Sequence, residues 1–188
     1  MPIYALDDEV PHIDPTAFVH PDAVLIGEVH IGALSSIWPT AVIRADNGPI
    51  FIGARTSIQD GTVIHTMPGN PTRIGDACTI GHLVHLEGCV LEDHVLVGSG
   101  AMVLSQAICR STSLIGAGAV VTPRTEVPSY AMALGVPATM RLDVVTRDMV
   151  DGNVQGYLRH SVQHRTQMRR ITVQEATVRA PRRGVEAL

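Results

Sequence analysis

Aliphatic side chains recur every six residues through most of the sequence, most clearly in the segments that begin at Ile74, Ile80, Val97 and Ile115. A period of six fits neither the 3.6-residue turn of an α-helix nor a simple β-hairpin. It fits short strands separated by turns, three of which make one 18-residue coil. The alternative, a β-sandwich with accidental spacing, is disfavoured by the long run of positions in phase. The repeat therefore predicts an all-β solenoid with a core of stacked Ile and Val side chains.

Two insertions interrupt the repeat. Ile43 and Ile52 are nine residues apart, and the extra residues fall around Asn47-Gly48-Pro49. Ile64 and Ile74 are ten residues apart, and the extra residues fall around Pro68-Gly69-Asn70-Pro71. Both stretches are typical turn sequences. We expect them to form loops that project from the corners of a three-sided prism.

The insertions predict which polar side chains stack on one another. Arg44, His65 and Glu87 each follow a buried aliphatic residue, at separations of 21 and 22 residues. These separations equal one 18-residue coil plus the three- or four-residue insertion. The three side chains should therefore lie on one face, in consecutive coils about 4.8 Å apart. They should point outward, because the neighbours of an inward-facing strand residue face the other way.

A second polar column is expected on the preceding face. Asp60 and His82 are 22 residues apart and should stack in the same way, with Gln59 beside Asp60. Imidazole and carboxylate are zinc ligands, and catalytic zinc typically has three protein ligands. His65 and Glu87 are suitably placed to share an ion. Because His82 projects from a different face, one chain would not close the site, whereas a trimer would.

Four other histidines outside the C-terminal region carry no such pattern. We expect them to be ordinary solvated surface residues, and they are His12, His20, His30 and His94.

Composition excludes several classes of function. All 14 basic residues are Arg, so Schiff-base chemistry and a Walker phosphate loop are ruled out. A net charge of −4 disfavours binding to nucleic acid or to an anionic membrane. Three cysteines without a CxxC motif indicate a reducing compartment. No apolar run approaches the roughly 20 residues that span a bilayer. We therefore expect a cytoplasmic protein.

The repeat ends near Pro128, and apolar residues take helical spacing from about Asp143. We expect a β-helix over residues 1–142, a C-terminal α-helix over 143–171 that packs on the prism, and a flexible tail over 172–188. Basic side chains near the end of the helix interact favourably with the helix dipole. This interpretation is favoured over a nucleic-acid surface, since aromatic residues are not interleaved with the basic ones.

Four motifs carry a resemblance to a known family. They are Arg44-Ala-Asp46, Ser57-Ile-Gln59-Asp60, Val63-Ile-His65 and Ile80-Gly81-His82. Together they resemble the γ-class carbonic anhydrase family, in particular its bacterial PaaY-, CaiE- and YrdA-like branch. The resemblance covers roughly residues 1–142. It also implies a left-handed β-helix, the opposite hand from that of ordinary parallel crossovers.

The resemblance further implies a homotrimer with metal sites between subunits. His65 of one chain and His82 of its neighbour would bind Zn²⁺, with Fe²⁺ or Co²⁺ as the other metals of the family. Arg44 and Asp46 would form an ion pair that orders the trimer. The resemblance also gives roles to two further residues: Gln59 would hydrogen-bond the metal-bound water, and Asp60 would support a ligand.

This sequence departs from the family pattern in three places. The third histidine ligand of the family is Glu87 here, and a different histidine, His85, lies two residues earlier. Stacking favours Glu87 as the third ligand, and His85 remains the alternative. The family's Asn in the Asn-Ile-Gln-Asp motif is Ser57. The 66–73 loop has no glutamate to carry protons.

The leading functional hypothesis is reversible hydration of CO₂ to bicarbonate by metal-activated hydroxide. One alternative is thioester hydrolysis or acyl transfer, since many hexapeptide-repeat proteins use acyl-CoA. Another is a catalytically weak, metal-binding trimeric scaffold that has lost its third histidine ligand.

Overall fold

The chain folds into a left-handed parallel β-helix of about seven coils with a short C-terminal helix. The structure is a computed structural model, and it describes residues 2–178. The solenoid predicted from the six-residue repeat is therefore confirmed.

Nearly every strand is two or three residues long, as the repeat requires. In chain order the strands are β1 (Ile3–Tyr4), β2 (His12–Ile13), β3 (Phe18–Val19), β4 (Val24–Ile31), β5 (Ser36–Ile37), β6 (Val42–Ile52), β7 (Ser57–Ile58), β8 (Val63–His65), β9 (Thr72–Ile74), β10 (Thr79–Ile80), β11 (His85–Glu87), β12 (Val90–Leu91), β13 (Leu96–Val97), β14 (Met102–Val103), β15 (Ile108–Cys109), β16 (Leu114–Ile115), β17 (Val120–Val121), β18 (Glu126–Val127), β19 (Met132–Leu134) and β20 (Thr139–Arg141).

The strands line three faces of a prism. The first face is the sheet β20-β19-β16-β13-β10-β7-β5-β3, in which only the β19–β20 pair is antiparallel. The second face contains β8, β11, β14 and β17, and the third contains β9, β12, β15 and β18. Strands β4 and β6 run around the corner between the second and third faces and belong to both.

The two insertions behave differently. Met67 and Asn70 pair as a tight turn around Gly69, so the second insertion projects as the sequence predicts. The first insertion is not a separate loop. It lies within the continuous strand β6, where the pairing with β4 passes from Gly27↔Ala45 to Val29↔Ile50 as a bulge. The extra residues are absorbed at a corner that two long strands already bridge.

Close stacking of the coils explains the glycines that follow many aliphatic residues. A Cβ atom built on Gly53 would lie 2.6 Å from the backbone carbon of Gly75 in the next coil. A Cβ atom on Gly81 would lie 2.7 Å from the Ser99 amide nitrogen. Side chains at these positions would force neighbouring coils apart, so the strand spacing itself selects glycine.

Ile64 shows how the core is built. Its side chain is fully buried, and in the sheet it is paired with Ile43 on one side and Leu86 on the other. We expect Ile64→Ala to lower the free energy of unfolding by about 2–5 kcal/mol, because it leaves a cavity between two coils. Urea unfolding at fixed protein concentration measures the loss. The exposed Val144→Ala is the control, and equal stability of the two variants would contradict a ladder core.

The C-terminal helix α1 spans Arg147–Gln167 and packs on the first face. Trp38 is at the centre of this contact, with its ring 5.5 Å from Tyr157 and 5.0 Å from His164. The indole N–H donates to the hydroxyls of Ser36 and Ser57, each at 3.0 Å.

Within the segment expected to be a tail, Val173–Val178 form a second helix, α2. The rest of that segment, 179–188, lies outside the described residues. No helix among residues 2–178 is long and apolar enough to cross a membrane.

Candidate metal centre

The predicted column of Arg44, His65 and Glu87 is present. In the sheet Arg44 is paired with His65, and His65 with Glu87, so the three residues occupy one register position in consecutive coils. All three lie where the second face meets the third. The backbone of His65 is held firmly there, since its carbonyl accepts a 2.6 Å hydrogen bond from the Thr72 hydroxyl.

His65 is polarised by the carboxylates on either side of it. Its Nε2 atom is 3.0 Å from Asp46 Oδ1, and its Nδ1 atom is 3.7 Å from Glu87 Oε1. The other Asp46 oxygen pairs with Arg44 in a short ion pair. If Nε2 donates its proton to Asp46, Nδ1 keeps a lone pair that faces Glu87. This is the arrangement of a metal-ligating histidine, whose second nitrogen is typically oriented by a carboxylate.

His85 also faces outward, but from a different position. It is paired with Val63 in the sheet and lies two residues before Glu87, with inward-facing Leu86 between them. Its Nε2 atom is 3.9 Å from Glu87 Oε2. Glu87 is thus the residue paired with His65 in the sheet. His85 is paired with Val63 instead and approaches the Glu87 carboxylate along its own strand.

A second group lies at the opposite edge of the second face. His82 Nδ1 is 2.9 Å from Asp60 Oδ2, which realises the predicted stacking across the 22-residue separation. The His82 side chain is 49% exposed, so Nε2 is open to solvent. Gln59 lies beside Asp60 on the first face and is only 4% exposed. Its side-chain amide makes no hydrogen bond within residues 2–178, while its backbone N–H donates to the Ile80 carbonyl.

The two groups do not meet within one chain. Among residues 2–178, no three His, Cys, Asp or Glu side chains lie close enough together to hold a metal ion. We call the group of Arg44, Asp46, His65, His85 and Glu87 the His65 edge, and the group of Gln59, Asp60 and His82 the His82 edge. Each edge presents a carboxylate–histidine pair at a different boundary of the second face.

The surface between the two edges is mostly apolar, a feature that reading the motifs alone does not show. In successive coils, the residues at one outward-facing position of the second face are aligned with one another. Five of these six residues are apolar. We call this the apolar column, and its members are Val24, Val42, Val63, His85, Met102 and Val120. Leu83, the neighbour of His82, is 71% exposed. Counting back by coils from Val63 could have revealed the column in the sequence.

The cysteines do not approach the site. Cys78, Cys89 and Cys109 are all buried and unpaired. Burial raises the pKa of the Cys78 and Cys89 thiols to about 12. All three are core residues, including Cys89, which follows Glu87 closely in the sequence.

A scan against protein-family models finds no match. Among curated proteins, γ-carbonic anhydrase 1 of Arabidopsis thaliana mitochondria is 41% identical over 137 residues, which is 70% of this chain and 50% of that protein. The carnitine operon protein CaiE of Proteus sp. (strain LE138) is 35% identical over 149 residues, which is 79% of this chain and 76% of that protein. The chain spans about half the length of the Arabidopsis relatives.

Two solved structures are similar over nearly their whole length. One is a Bacillus cereus protein described as a candidate acetyltransferase, with a TM-score of 0.86 and 30% identity over 88% of this chain and 98% of that one. The other is a hexapeptide transferase family protein from Anaplasma phagocytophilum, with a TM-score of 0.83 and 32% identity over 87% and 98%.

The coils and these neighbours define the chain as a hexapeptide-repeat β-helix protein. Its curated relatives narrow the assignment. The chain belongs to the γ-carbonic anhydrase-like family, which includes CaiE.

Proposed function

We propose that the protein is a homotrimer that binds a divalent metal between subunits and catalyses the reversible hydration of CO₂. The observation that carries the proposal is the pair of carboxylate–histidine contacts, Asp46–His65 and Asp60–His82, at opposite edges of one face. A cyclic trimer places one edge of each subunit against the other edge of its neighbour, which uses both edges in every subunit. The apolar column between them supplies the surface that such contacts bury.

The residues at the two edges suit zinc, with Fe²⁺ or Co²⁺ as alternatives. The ligands would be His65 and Glu87 from one subunit and His82 from the next, a His₂Glu set of the kind that catalytic zinc uses. Each histidine already has one nitrogen beside an aspartate, and the other nitrogen of His65 faces Glu87. His85 stays the alternative to Glu87. When bound, the ion would supply the Lewis acidity that makes water nucleophilic near neutral pH.

The protein's own residues would orient the reactants. Asp46 and Asp60 hold the rings of His65 and His82 by hydrogen bonds, which fixes the direction of their free nitrogens. Arg44 neutralises the second oxygen of Asp46 and keeps this carboxylate in place. Gln59 brings a sheltered amide that can donate to one oxygen and accept from another, as attack of water on CO₂ requires.

Glu87 should make the site weaker than one with three histidines. A carboxylate ligand brings negative charge, which lowers the acidity of water at a metal site. We therefore expect Glu87→His to raise kcat for CO₂ hydration at pH 7 by about tenfold, the effect of one pKa unit in the nucleophile. Stopped-flow hydration assays with equal metal loading measure the change.

A separate pair of variants decides between the two candidate ligands. A His85→Ala variant that loses metal while Glu87→Ala keeps it would identify His85 as the ligand.

The proposal is tested by metal analysis and hydration assays on the same preparation. We expect one metal ion per chain, hydration above the uncatalysed rate, and loss of both on treatment with a chelator. Stoichiometric metal without hydration would contradict the activity and leave the metal site in place. Weak metal binding without activity would favour a scaffold.

Because the three cysteines are unpaired and buried, we also propose a cytoplasmic location, where thiols stay reduced.

Acyl transfer or thioester hydrolysis is a second candidate function. It is favoured by the two similar solved structures, whose descriptions name an acetyltransferase and a hexapeptide transferase. Such an enzyme would need a histidine base and no metal. Acyl-CoA turnover that survives chelation would support it over CO₂ hydration.

A further inference from the structure

The proposed reaction releases a proton that this chain must carry away. CO₂ and water give bicarbonate and H⁺, so each hydration leaves one proton at the site. The loop next to His65, residues 66–73, contains neither Asp nor Glu. This loop therefore supplies no carboxylate to accept the proton.

A cavity leads away from the His65 edge on the side of the first coil. Its volume is about 400 Å³, and it is lined by Asp46, Glu28, Ala45, Gly48 and the turn of residues 6–9. At about 30 Å³ per molecule, this space holds about thirteen waters. Asp46 joins the cavity to the site, because its Oδ1 atom is 3.0 Å from His65 Nε2.

Glu28 lines this open cavity and also contacts a histidine outside the lining. Its Oε1 atom is 2.9 Å from His30 Nε2. The His30 side chain is 36% exposed, so buffer can reach it. Its ring stacks between those of His12 and Phe51, each with a centroid distance of 4.8 Å. His30 is therefore partly exposed to solvent and is also held beside a carboxylate.

The bulge between β4 and β6 places this pair. Glu28 is the residue between the last register pair before the bulge, Gly27↔Ala45, and the first pair after it, Val29↔Ile50. Gly27 permits the close approach, since a Cβ atom there would lie 2.5 Å from the Ala45 carbonyl oxygen. The insertion that aligns Arg44 with His65 thus also opens the cavity beside Glu28.

We propose that Glu28 and His30 carry the proton of CO₂ hydration from the cavity to the solvent, an inference that rests on the proposed function. Water in the cavity delivers H⁺ to the Glu28 carboxylate. The carboxylic acid passes H⁺ to the neutral imidazole of His30, and His30 gives it to buffer. No bond other than O–H and N–H bonds forms or breaks, and each group returns to its starting state.

The acidic lining of the cavity favours a positive charge in transit there, whereas the Arg73 guanidinium near His30 opposes one. Glu28 shares the cavity with Asp46 and with the acidic residues of the N-terminal turn, Asp7, Asp8 and Glu9. His30 is flanked by His12 and Phe51, and Arg73 lies on the Phe51 ring at 4.3 Å.

The test is ¹⁸O exchange between CO₂ and water, followed by mass spectrometry with the metal-loaded protein. This method gives two rates, the interconversion of CO₂ and bicarbonate and the release of labelled water, which requires a proton. We expect Glu28→Gln and His30→Gln to slow water release at least about tenfold at low buffer, with interconversion unchanged. Added imidazole should restore release. Asp22→Asn and His20→Gln, which alter another carboxylate–histidine pair two residues apart, should leave both rates unchanged.

Each other result overturns the proposal in a distinct way. Normal water release in both variants would show that protons leave by another route, while the proposed activity stands. A parallel fall of both rates without rescue by imidazole would show a structural role for the pair. No interconversion by the unmodified protein would remove the proposed function and the proton route with it.

Discussion

Replacing His65 by alanine is expected to remove the proposed metal ion and to lower the proposed CO₂ hydration by more than about 100-fold. Loss of a residue that merely orients a metal ligand typically costs 10- to 100-fold, and loss of a ligand should cost more. His65 is the natural centre of the site, since it contacts both Asp46 and Glu87. Metal content per chain and the hydration rate of the same sample measure the two losses.

The control for this variant is His160→Ala. His160 is an exposed histidine on α1, outside both edges of the second face. We expect it to keep full metal content and full activity. The His65→Ala protein should retain the circular dichroism spectrum of a β-helix, because the side chain lies outside the core. Normal metal content in His65→Ala would contradict the role given to this residue.

A second large effect is expected at the apolar column. We predict that Val63→Glu combined with Met102→Glu converts the proposed trimer to monomers at micromolar concentration. Both side chains are substantially exposed in the single chain, at 39% and 45%, so glutamates are tolerated there until subunits associate. Association would then bury unpaired charges, at a cost of several kcal/mol for each. Light scattering after size exclusion measures the mass.

The same double variant should also lose its metal, although both substitutions leave every proposed ligand in place. Separated subunits would hold the His65 and His82 edges apart. Val173→Glu, at an apolar residue that is 76% exposed on α2, serves as the matched control and should remain trimeric. A double variant that stays trimeric with full metal would show that the second face is not the interface.

The coil architecture could be predicted because the repeat is a direct record of the strand spacing. Each buried aliphatic position follows from a period of six, and the insertion lengths place Arg44, His65 and Glu87 in one register. The close approach of coils even accounts for glycines such as Gly81. These features depend on local geometry repeated many times, which a single sequence displays.

Other features depend on contacts that occur once and do not repeat along the sequence. The bulge in β6 arises because two long strands share a corner, and turn residues such as Asn47-Gly48-Pro49 do not reveal it. The start of α1 at Arg147 rather than near Asp143 follows a local turn, in which the amides of Val144 and Val145 both donate to the Tyr130 carbonyl. The Glu28–His30 pair becomes meaningful only once the cavity beside Asp46 is known.

The proposed metal ligands also include some that the repeat predicts and one that it cannot. Stacking arithmetic indicates Glu87 rather than His85, and the sheet register agrees, because Glu87 is the residue paired with His65. Whether His82 completes the site depends on a neighbouring subunit, which neither the repeat nor a single chain contains.

Mixing two inactive variants tests the shared site most directly. His65→Ala keeps an intact His82 edge, and His82→Ala keeps an intact His65 edge. In trimers assembled at random from equal amounts, about one interface in four joins two intact edges, because each edge is intact in half of the subunits. We predict that the mixture regains about a quarter of the metal content and hydration rate of the unmodified protein, whereas each variant alone has neither. A mixture as empty and inactive as its components would contradict a metal site shared between subunits.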